Sequence, residues 1–157
     1  MKYDSENLWW NEDKRLTTAQ VFKAINSYIK KEGTVYVGTD SMLRNDNCKF
    51  VSVIAIHSNE QKIANYFFKK KSLTHRKYRT LQNKIFEEVD CSLEIAKEVS
   101  ETFPDVKIEV HVDVGKTNRS KTRIYVDSIR GWVTSLGYVF KIKPNSWASH
   151  IADWHSK

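Results

Sequence analysis

The chain has 157 residues, with 26 Lys and Arg against 19 Asp and Glu, which gives a formal net charge of +7 and a pI of about 9.3. That length suits one compact domain, and 40% hydrophobic residues, with 12% of all residues aromatic, argue against intrinsic disorder. Two cysteines are too few for a disulfide framework, and no apolar run reaches the roughly 20 residues of a membrane helix. We therefore expect a folded cytoplasmic protein whose basic charge suits an anionic partner such as nucleic acid.

The first predicted element is an amphipathic helix between residues 17 and 33, with threonines as N-caps and a glycine at its end. We expect the arm and helix of residues 1–32 to pack on a unit formed by residues 33–157. The arm carries two adjacent tryptophans, Trp9 and Trp10, in a polar stretch. They form either an interface or a contact with the core, and packing on the core is the reading that we favour.

Three strands are predicted next, over 34–41, 48–57 and 62–69, because β-branched and aromatic residues alternate with polar ones. Short polar turns separate them, which predicts an antiparallel meander. The pattern then changes to a long helix over 74–103, which Pro104 ends.

The last part of the chain alternates strands with helices: a strand over 107–114, a helix over 122–137, a strand over 138–143 and a last helix after Pro144. The order of elements is α, βββ, α, β, α, β, α. It predicts an α/β fold with a five-stranded mixed sheet and helices on both faces. Strands 1, 2 and 3 are antiparallel, and strands 1, 4 and 5 are parallel.

Two aspartates end strands that this topology makes parallel neighbours. Asp40 ends the first strand and Asp113 ends the fourth, at the sheet edge where ligand sites gather. Two carboxylates a few Å apart are costly unless a cation or a shared proton compensates them. Oxygen ligands suit Mg²⁺ or Mn²⁺ and not zinc. Taken singly, each aspartate also fits a strand-end turn.

Two further acids lie on predicted helices. Glu88 falls on the flank of the apolar stripe of the long helix, whereas Glu87 projects almost opposite, toward solvent. Asp153 and Ser149 share a polar side of the last helix. The apolar stripe of that helix is predicted to be Trp147, Ile151 and Trp154. On spacing alone, Glu88 equally fits a border glutamate paired with a lysine, and the polar side fits a solvent-exposed surface.

The order of elements and acids resembles the ribonuclease H plan. The segments VYVGTDS, IFEEVDCSLEIA, VHVDVG, WVTSLGY and IKPNSWASHIAD resemble, in order, the motifs of the YkuK family, a bacterial and phage group of predicted ribonuclease H-like proteins. The similarity runs from about Leu16 to Lys157. Met42 departs from the family pattern, in which a polar residue, often glutamine, follows the serine of GTDS.

The resemblance implies a divalent-metal-dependent nuclease that hydrolyses phosphodiester bonds of RNA, RNA/DNA hybrid or DNA with two Mg²⁺ or Mn²⁺ ions. The catalytic and metal-binding acids of the family correspond to Asp40, Glu88, Asp113 and Asp153. Asp40 is expected to bridge both ions, with Glu88 and Asp113 on one and Asp153 on the other. The alternative is a non-catalytic ribonuclease H-fold module that binds nucleic acid or protein.

Substrate contacts are expected from basic residues near the acids, because lysines and arginines neutralise phosphates without reading bases, and from two nearby serines. Tyr78 lies within the basic cluster of residues 69–79, and it either stacks on a base or packs against the protein. His150 is either a proton relay or an exposed helix residue. The predicted substrate-binding residues are Ser41, Lys70, Lys71, Arg76, Lys77, Arg79, Lys116, Arg119, Lys143 and Ser149.

Overall fold

A computed structural model gives the protein's structure and describes residues 8–29, 33–45, 47–58, 61–74, 76–115 and 121–156, without the side chains of 57–58, 61–64 and 76–77. Seven strands and four α-helices are present in these ranges, together with short 3₁₀ turns. In chain order they are β1 (Trp9–Asn11), β2 (Lys14–Leu16), α1 (Thr18–Ile29), β3 (Thr34–Arg44), β4 (Asn47–Ser58), β5 (Gln61–Thr74), α2 (Leu81–Thr102), β6 (Ile108–His111), α3 (Val126–Ser135), β7 (Val139–Lys141) and α4 (Trp147–Ser156).

The sheet is mixed, as predicted, and its order is β2-β1-β5-β4-β3-β6-β7. Strands β3, β4 and β5 form the antiparallel meander, and β3, β6 and β7 run parallel. The predicted count of five strands is wrong, because the hairpin β1–β2 adds two strands at the β5 edge, where Trp10 pairs with Phe68. Each hairpin strand has three residues, which is too short for a readable alternation.

Several predicted boundaries are also wrong. Strand β3 continues to Arg44, so Asp40 lies within the strand and not at its end. Strand β5 continues to Thr74, because it pairs with β4 along that whole length, and a 3₁₀ turn follows it. The long helix begins only at Leu81, where the Thr80 side chain accepts a hydrogen bond from the Asn83 amide. Strand β6 ends at His111, so Asp113 lies in the loop after the strand.

The two faces of the sheet are covered differently. Alternate residues of β3 point to opposite faces, so Val35 and Val37 pack with apolar residues of α1, α2 and α3 in one cluster. Tyr36 packs with Ile151 of α4 in a second cluster. We call these faces the α2 side and the α4 side. Helices therefore lie on both faces, as predicted.

Helix α4 lies very close to the sheet. A Cβ at Gly38 would be 2.7 Å from the Ser149 amide nitrogen and 2.8 Å from the Ala148 carbonyl carbon, so only glycine fits at this position of β3. Small residues of the helix therefore face the sheet. The predicted stripe is wrong in one position, because Trp154 is 69% exposed while Ala148 and Ala152 are buried.

The hairpin before α1 and the strands after it belong to one sheet. The division of the chain into 1–32 and 33–157 remains a prediction. Of the helices in the described ranges, none is both long and apolar enough to cross a membrane.

Candidate functional site

Strand β3 divides its polar residues between the two faces. Asp40 is on the α4 side, 8% exposed, and its Oδ2 accepts a hydrogen bond from Ser156 Oγ at 3.0 Å. Thr39 is on the α2 side, where its hydroxyl lies 2.7 Å from that of Ser92 and 3.0 Å from that of Ser52. This buried set of hydroxyl groups joins α2 to β3 and β4 and so fixes the helix against the strand that carries Asp40.

Glu88 is buried on α2, with 5% of its surface exposed. Its Oε1 accepts a hydrogen bond of 2.5 Å from Ser41 Oγ, two residues after Thr39 on the α2 side of β3. Burial raises the pKa of Glu88 to about 8, and the negative charges of Asp40 and Asp113 add to the rise, although the Ser41 hydrogen bond and the charge of Lys84 oppose it.

Asp113 lies in a tight turn after β6, in which the Val114 amide donates to the Val112 carbonyl at 2.9 Å. Its Oδ1 is 3.0 Å from Lys143 Nζ, in the segment between β7 and α4. The ammonium approaches outside hydrogen-bonding angles, so this buried oxygen has an ionic neighbour and accepts no hydrogen bond.

Asp153 of α4 lies beside Asp40. Burial raises the pKa of Asp40 to about 6 against the opposing effect of the Ser156 hydrogen bond, and a side-chain hydrogen bond with Asp153 and the charges of Asp113 and Asp153 raise it further. Ser156 also donates to the Asp153 carbonyl at 3.0 Å, one helical turn back. The two aspartates and the serine therefore form one polar group between α4 and β3.

The four predicted acids thus interact with one another although they come from four different segments. Within the described ranges, no three His, Cys, Asp or Glu side chains stand in an arrangement ready to hold one metal ion. Three of the acids instead turn to local partners. Asp40 turns to Ser156, Glu88 to Ser41 and Asp113 to Lys143.

The donor chemistry of these residues fits a divalent cation. All the donors are carboxylate oxygens, which Mg²⁺ and Mn²⁺ prefer. The buried Oδ1 of Asp113 accepts no hydrogen bond, although Lys143 lies 3.0 Å away. Burial raises the pKa values of Asp40 and Glu88, and the negative charges of the neighbouring acids raise them further. A cation would supply the missing positive charge.

The two adjacent lysines of β5 lie on opposite sides of the sheet. Lys70 is exposed on the α4 side. It lies two residues after Phe68, which packs on that side, and residues two apart in a strand point to the same face. Lys71 is 3.8 Å from Glu87 of α2. The prediction that Glu87 points to solvent is therefore wrong, because its side chain is 19% exposed and paired with this lysine.

The other predicted substrate residues are scattered. Arg79 is exposed and Tyr78 is buried against Phe50, so the tyrosine packs. Ser149 is 2% exposed and donates to the Ser146 carbonyl at 2.6 Å, so we leave it out of the substrate surface proposed below. The side chains of Arg76 and Lys77, and residues Lys116 and Arg119, lie outside what the structure describes. His150 is exposed.

Two residues that support the site are not among the predicted site residues. Ser156 could be found only by noticing that it lies one helical turn after Asp153. His111 is buried in front of α4, where its Nδ1 accepts a hydrogen bond of 3.1 Å from the Ala148 amide and its Nε2 lies 3.2 Å from Glu109 Oε1. Burial lowers the pKa of His111 although Glu109 opposes this, which keeps Nδ1 available as the acceptor that anchors the helix.

Two comparisons with known proteins bear on this arrangement. The sequence model of the family described as "Ribonuclease H-like" matches residues 17–157. The "Uncharacterized protein YkuK" of Bacillus subtilis (strain 168) is 24% identical over 162 aligned positions, which cover 90% of this chain and 92% of that protein. The resemblance to the YkuK group that the motifs indicate is therefore confirmed.

Proposed function

The chain belongs to the ribonuclease H-like family, and from this premise we propose that it is a divalent-metal-dependent nuclease that hydrolyses phosphodiester bonds of RNA, RNA/DNA hybrid or DNA. One observation carries the proposal. Carboxyl groups from β3, α2, the loop after β6 and α4 interact with one another, and the pKa values of the two buried ones, Asp40 and Glu88, are raised by burial and further by the charges of the neighbouring acids. Such strongly perturbed acids mark functional sites more often than structural ones.

Asp40, Glu88, Asp113 and Asp153 would hold the Mg²⁺ or Mn²⁺ ions. When bound, two such ions activate water and stabilise the leaving oxygen of a phosphodiester. Around them, Ser41 and Ser156 hold the carboxylates of Glu88 and Asp40. Lys143 compensates the charge of Asp113 and, from the same position, can contact a substrate phosphate.

The proposal is tested by incubating labelled RNA, DNA and RNA/DNA hybrid with the purified protein in Mg²⁺, Mn²⁺ or EDTA. We expect metal-dependent cleavage that falls by about 100-fold or more in Asp40→Asn and in Asp113→Asn, because each change removes a charged oxygen from the site. Asp105→Asn is the matched control, since Asp105 is exposed in the turn after α2. Equal cleavage by all variants would reveal a contaminating nuclease and refute the proposal.

Metal binding is measured apart from activity. We expect Mn²⁺ to raise the melting temperature of the wild-type protein and of Asp105→Asn, and to have a much smaller effect on Asp40→Asn, because a ligand that binds the folded state stabilises it.

The second candidate function is a non-catalytic module that binds nucleic acid. One observation favours it: in the part of the chain that the structure describes, the acids point to local partners and no three of them are arranged around a common ion position. Salt-sensitive binding of the labelled strands without cleavage in any metal would select this candidate.

A further inference from the structure

A pocket of about 430 Å³ opens on the α4 side of the sheet, outside the group of four acids. The hairpin β1–β2 forms one wall, β5 forms the floor, and the end of α4 forms the other wall. We call it the aromatic pocket. It is lined by Trp10, Glu12, Asp13, Tyr66, Phe68, Lys70 and His155.

The rings of this pocket are held in place by one another. The imidazole of His155 stacks on Phe68 with ring centroids 3.9 Å apart and an angle of 16°. The Tyr66 hydroxyl lies 3.0 Å from His155 Nε2, and the guanidinium of Arg15 covers the Trp10 ring at 5.1 Å. Flat aromatic surfaces that are already ordered bind a planar ligand with little loss of side-chain entropy.

The aromatic pocket is next to the acids. In the register of the sheet, Asp40 pairs with Val51 and Val51 pairs with Lys70, so the three residues form one row across the α4 side. Two strand spacings separate the ends of this row by roughly 10 Å. Helix α4 borders both sites, because Asp153 interacts with Asp40 on one flank and His155 stacks on Phe68 on the other. A chain that enters the pocket is therefore within about one or two nucleotides of the acids.

The charges of the pocket are separated. Lys70 is at the end nearest the acids, whereas Glu12 and Asp13 form the hairpin turn at the other end, next to the Tyr66 carbonyl, which accepts a hydrogen bond of 3.0 Å from Asn11. A lysine attracts a phosphate. Carboxylates repel phosphate and accept hydrogen bonds from the amino groups of a base. The pocket is thus complementary to a nucleotide with its phosphate toward Lys70.

Glu12 has a further feature, a φ of 54°, in a two-residue hairpin turn. Glycine is the residue favoured at such a position, and a glutamate there is strained. Retaining a carboxylate in a strained turn at the mouth of a pocket fits a role in binding.

We propose that the aromatic pocket holds an unpaired base of a nucleic-acid strand whose neighbouring phosphate lies at the four acids. This inference rests on the proposed function and narrows its substrate to strands with unpaired bases, since a base inside a duplex cannot stack on protein side chains. RNA and DNA strands both offer unpaired bases for stacking, so the experiment measures the binding of each.

The test is a binding measurement in EDTA, so that no cleavage is required. Fluorescence anisotropy is followed with labelled single strands of oligo(rA) and oligo(dA) of about 12 nucleotides, a length within the site sizes of single-strand binding proteins. We expect Trp10→Leu to weaken binding by about tenfold, because it removes a stacking surface while keeping an apolar side chain. His155→Ala tests the opposite wall and is expected to act in the same direction.

Trp154→Leu is the matched control, since Trp154 lies on α4 beside His155 but is exposed and does not line the pocket. We expect it to bind like the wild type. An equal loss in this control, or no loss in both pocket variants, overturns the proposal. Melting temperatures identify any variant that is unfolded.

Glu12→Gly is a second test, because glycine adopts the positive φ of this turn without strain. We expect this variant to bind oligo(rA) and oligo(dA) more weakly and to be more stable than the wild type.

A strand with abasic sites and a duplex of the same length complete the test. We expect both to bind the wild type more weakly than the single strand, and Trp10→Leu to abolish the advantage of bases over abasic sites. Equal binding of the abasic and normal strands overturns the proposal. Base-dependent binding without cleavage in any metal contradicts the nuclease and retains the pocket, whereas cleavage that is unaffected by Trp10→Leu contradicts the pocket and retains the nuclease.

Discussion

The two faces of the sheet differ in how completely they are covered. On the α2 side, three helices bury a continuous apolar cluster, and the polar groups that enter it are paired, as Thr39 is with Ser92 and Ser41 is with Glu88. On the α4 side, one short helix covers the middle of the sheet and leaves the aromatic pocket at its end. Glu88 is thus buried on the closed face, whereas the open face carries the aromatic pocket.

A single strand, β3, contacts the helices on both faces. Because side chains alternate along β3, its odd-numbered residues hold α2 and its even-numbered residues, Gly38 and Asp40, contact α4. Asp40 and Glu88 therefore interact from opposite faces of the same strand. Substitutions on each side of the sheet test this difference.

The largest effect is expected from Gly38→Ala on the α4 side. The new Cβ would meet backbone atoms of Ser149 and Ala148 that cannot move without shifting α4, so we expect a loss of about 3 kcal/mol in the free energy of unfolding. Asp153 moves with the helix, and any metal-dependent cleavage is expected to fall as well. Urea denaturation measures the loss.

Gly131→Ala in α3 is the matched control for this substitution, because no atom lies within 4 Å of its added Cβ. It is expected to stabilise the protein by about 0.5–1 kcal/mol, since alanine is the better helix former. Similar stability of the two variants would show that α4 does not rest on Gly38.

A smaller effect is expected from Glu88→Gln on the α2 side. The pKa of Glu88 is raised to about 8 in the folded protein, so the folded state holds this proton more tightly than the unfolded state. Its stabilisation is present at low pH and is lost as pH rises through 8. Between pH 6 and pH 9 the metal-free wild type is expected to lose about 2 kcal/mol that Glu88→Gln retains.

Thermal unfolding in EDTA at several pH values measures this difference. Glu98→Gln, on the exposed side of α2, is the control and is expected to follow the wild-type pH dependence. Parallel curves for Glu88→Gln and the wild type would contradict the burial of a proton-binding glutamate.

The smallest effect is expected from the adjacent lysines of β5. Lys70→Gln removes a charge from the aromatic pocket and is expected to weaken oligonucleotide binding a few-fold, reducing the slope of log affinity against log salt by about 1. Lys71→Gln, on the other face and paired with Glu87, is expected to leave both quantities unchanged. Anisotropy titrations at several salt concentrations compare them, and equal slopes for the two variants would contradict the separation of the faces.

The sequence predicts the elements of the central fold well, because long alternating strands and amphipathic helices have strong periodic patterns. It misses the hairpin β1–β2, since three-residue strands carry no readable period and are stabilised by pairing with β5. It assigns Trp154 to the buried stripe of α4, because hydrophobicity alone suggests that position. The close approach at Gly38 selects Ala148 and Ala152 instead.

By itself the sequence predicted the order of elements from α1 onward, the mixed sheet and a set of four candidate acids, because these depend on local periodicity and on residue types at strand and helix positions. Only the tertiary structure decided which partner each acid contacts, that Lys70 and Lys71 face opposite sides in different surroundings, and that Trp10, Tyr66 and His155 line one pocket. The physical reason is that these relations join residues distant in the chain, and the register of the strands and the depth of α4 on the sheet set them.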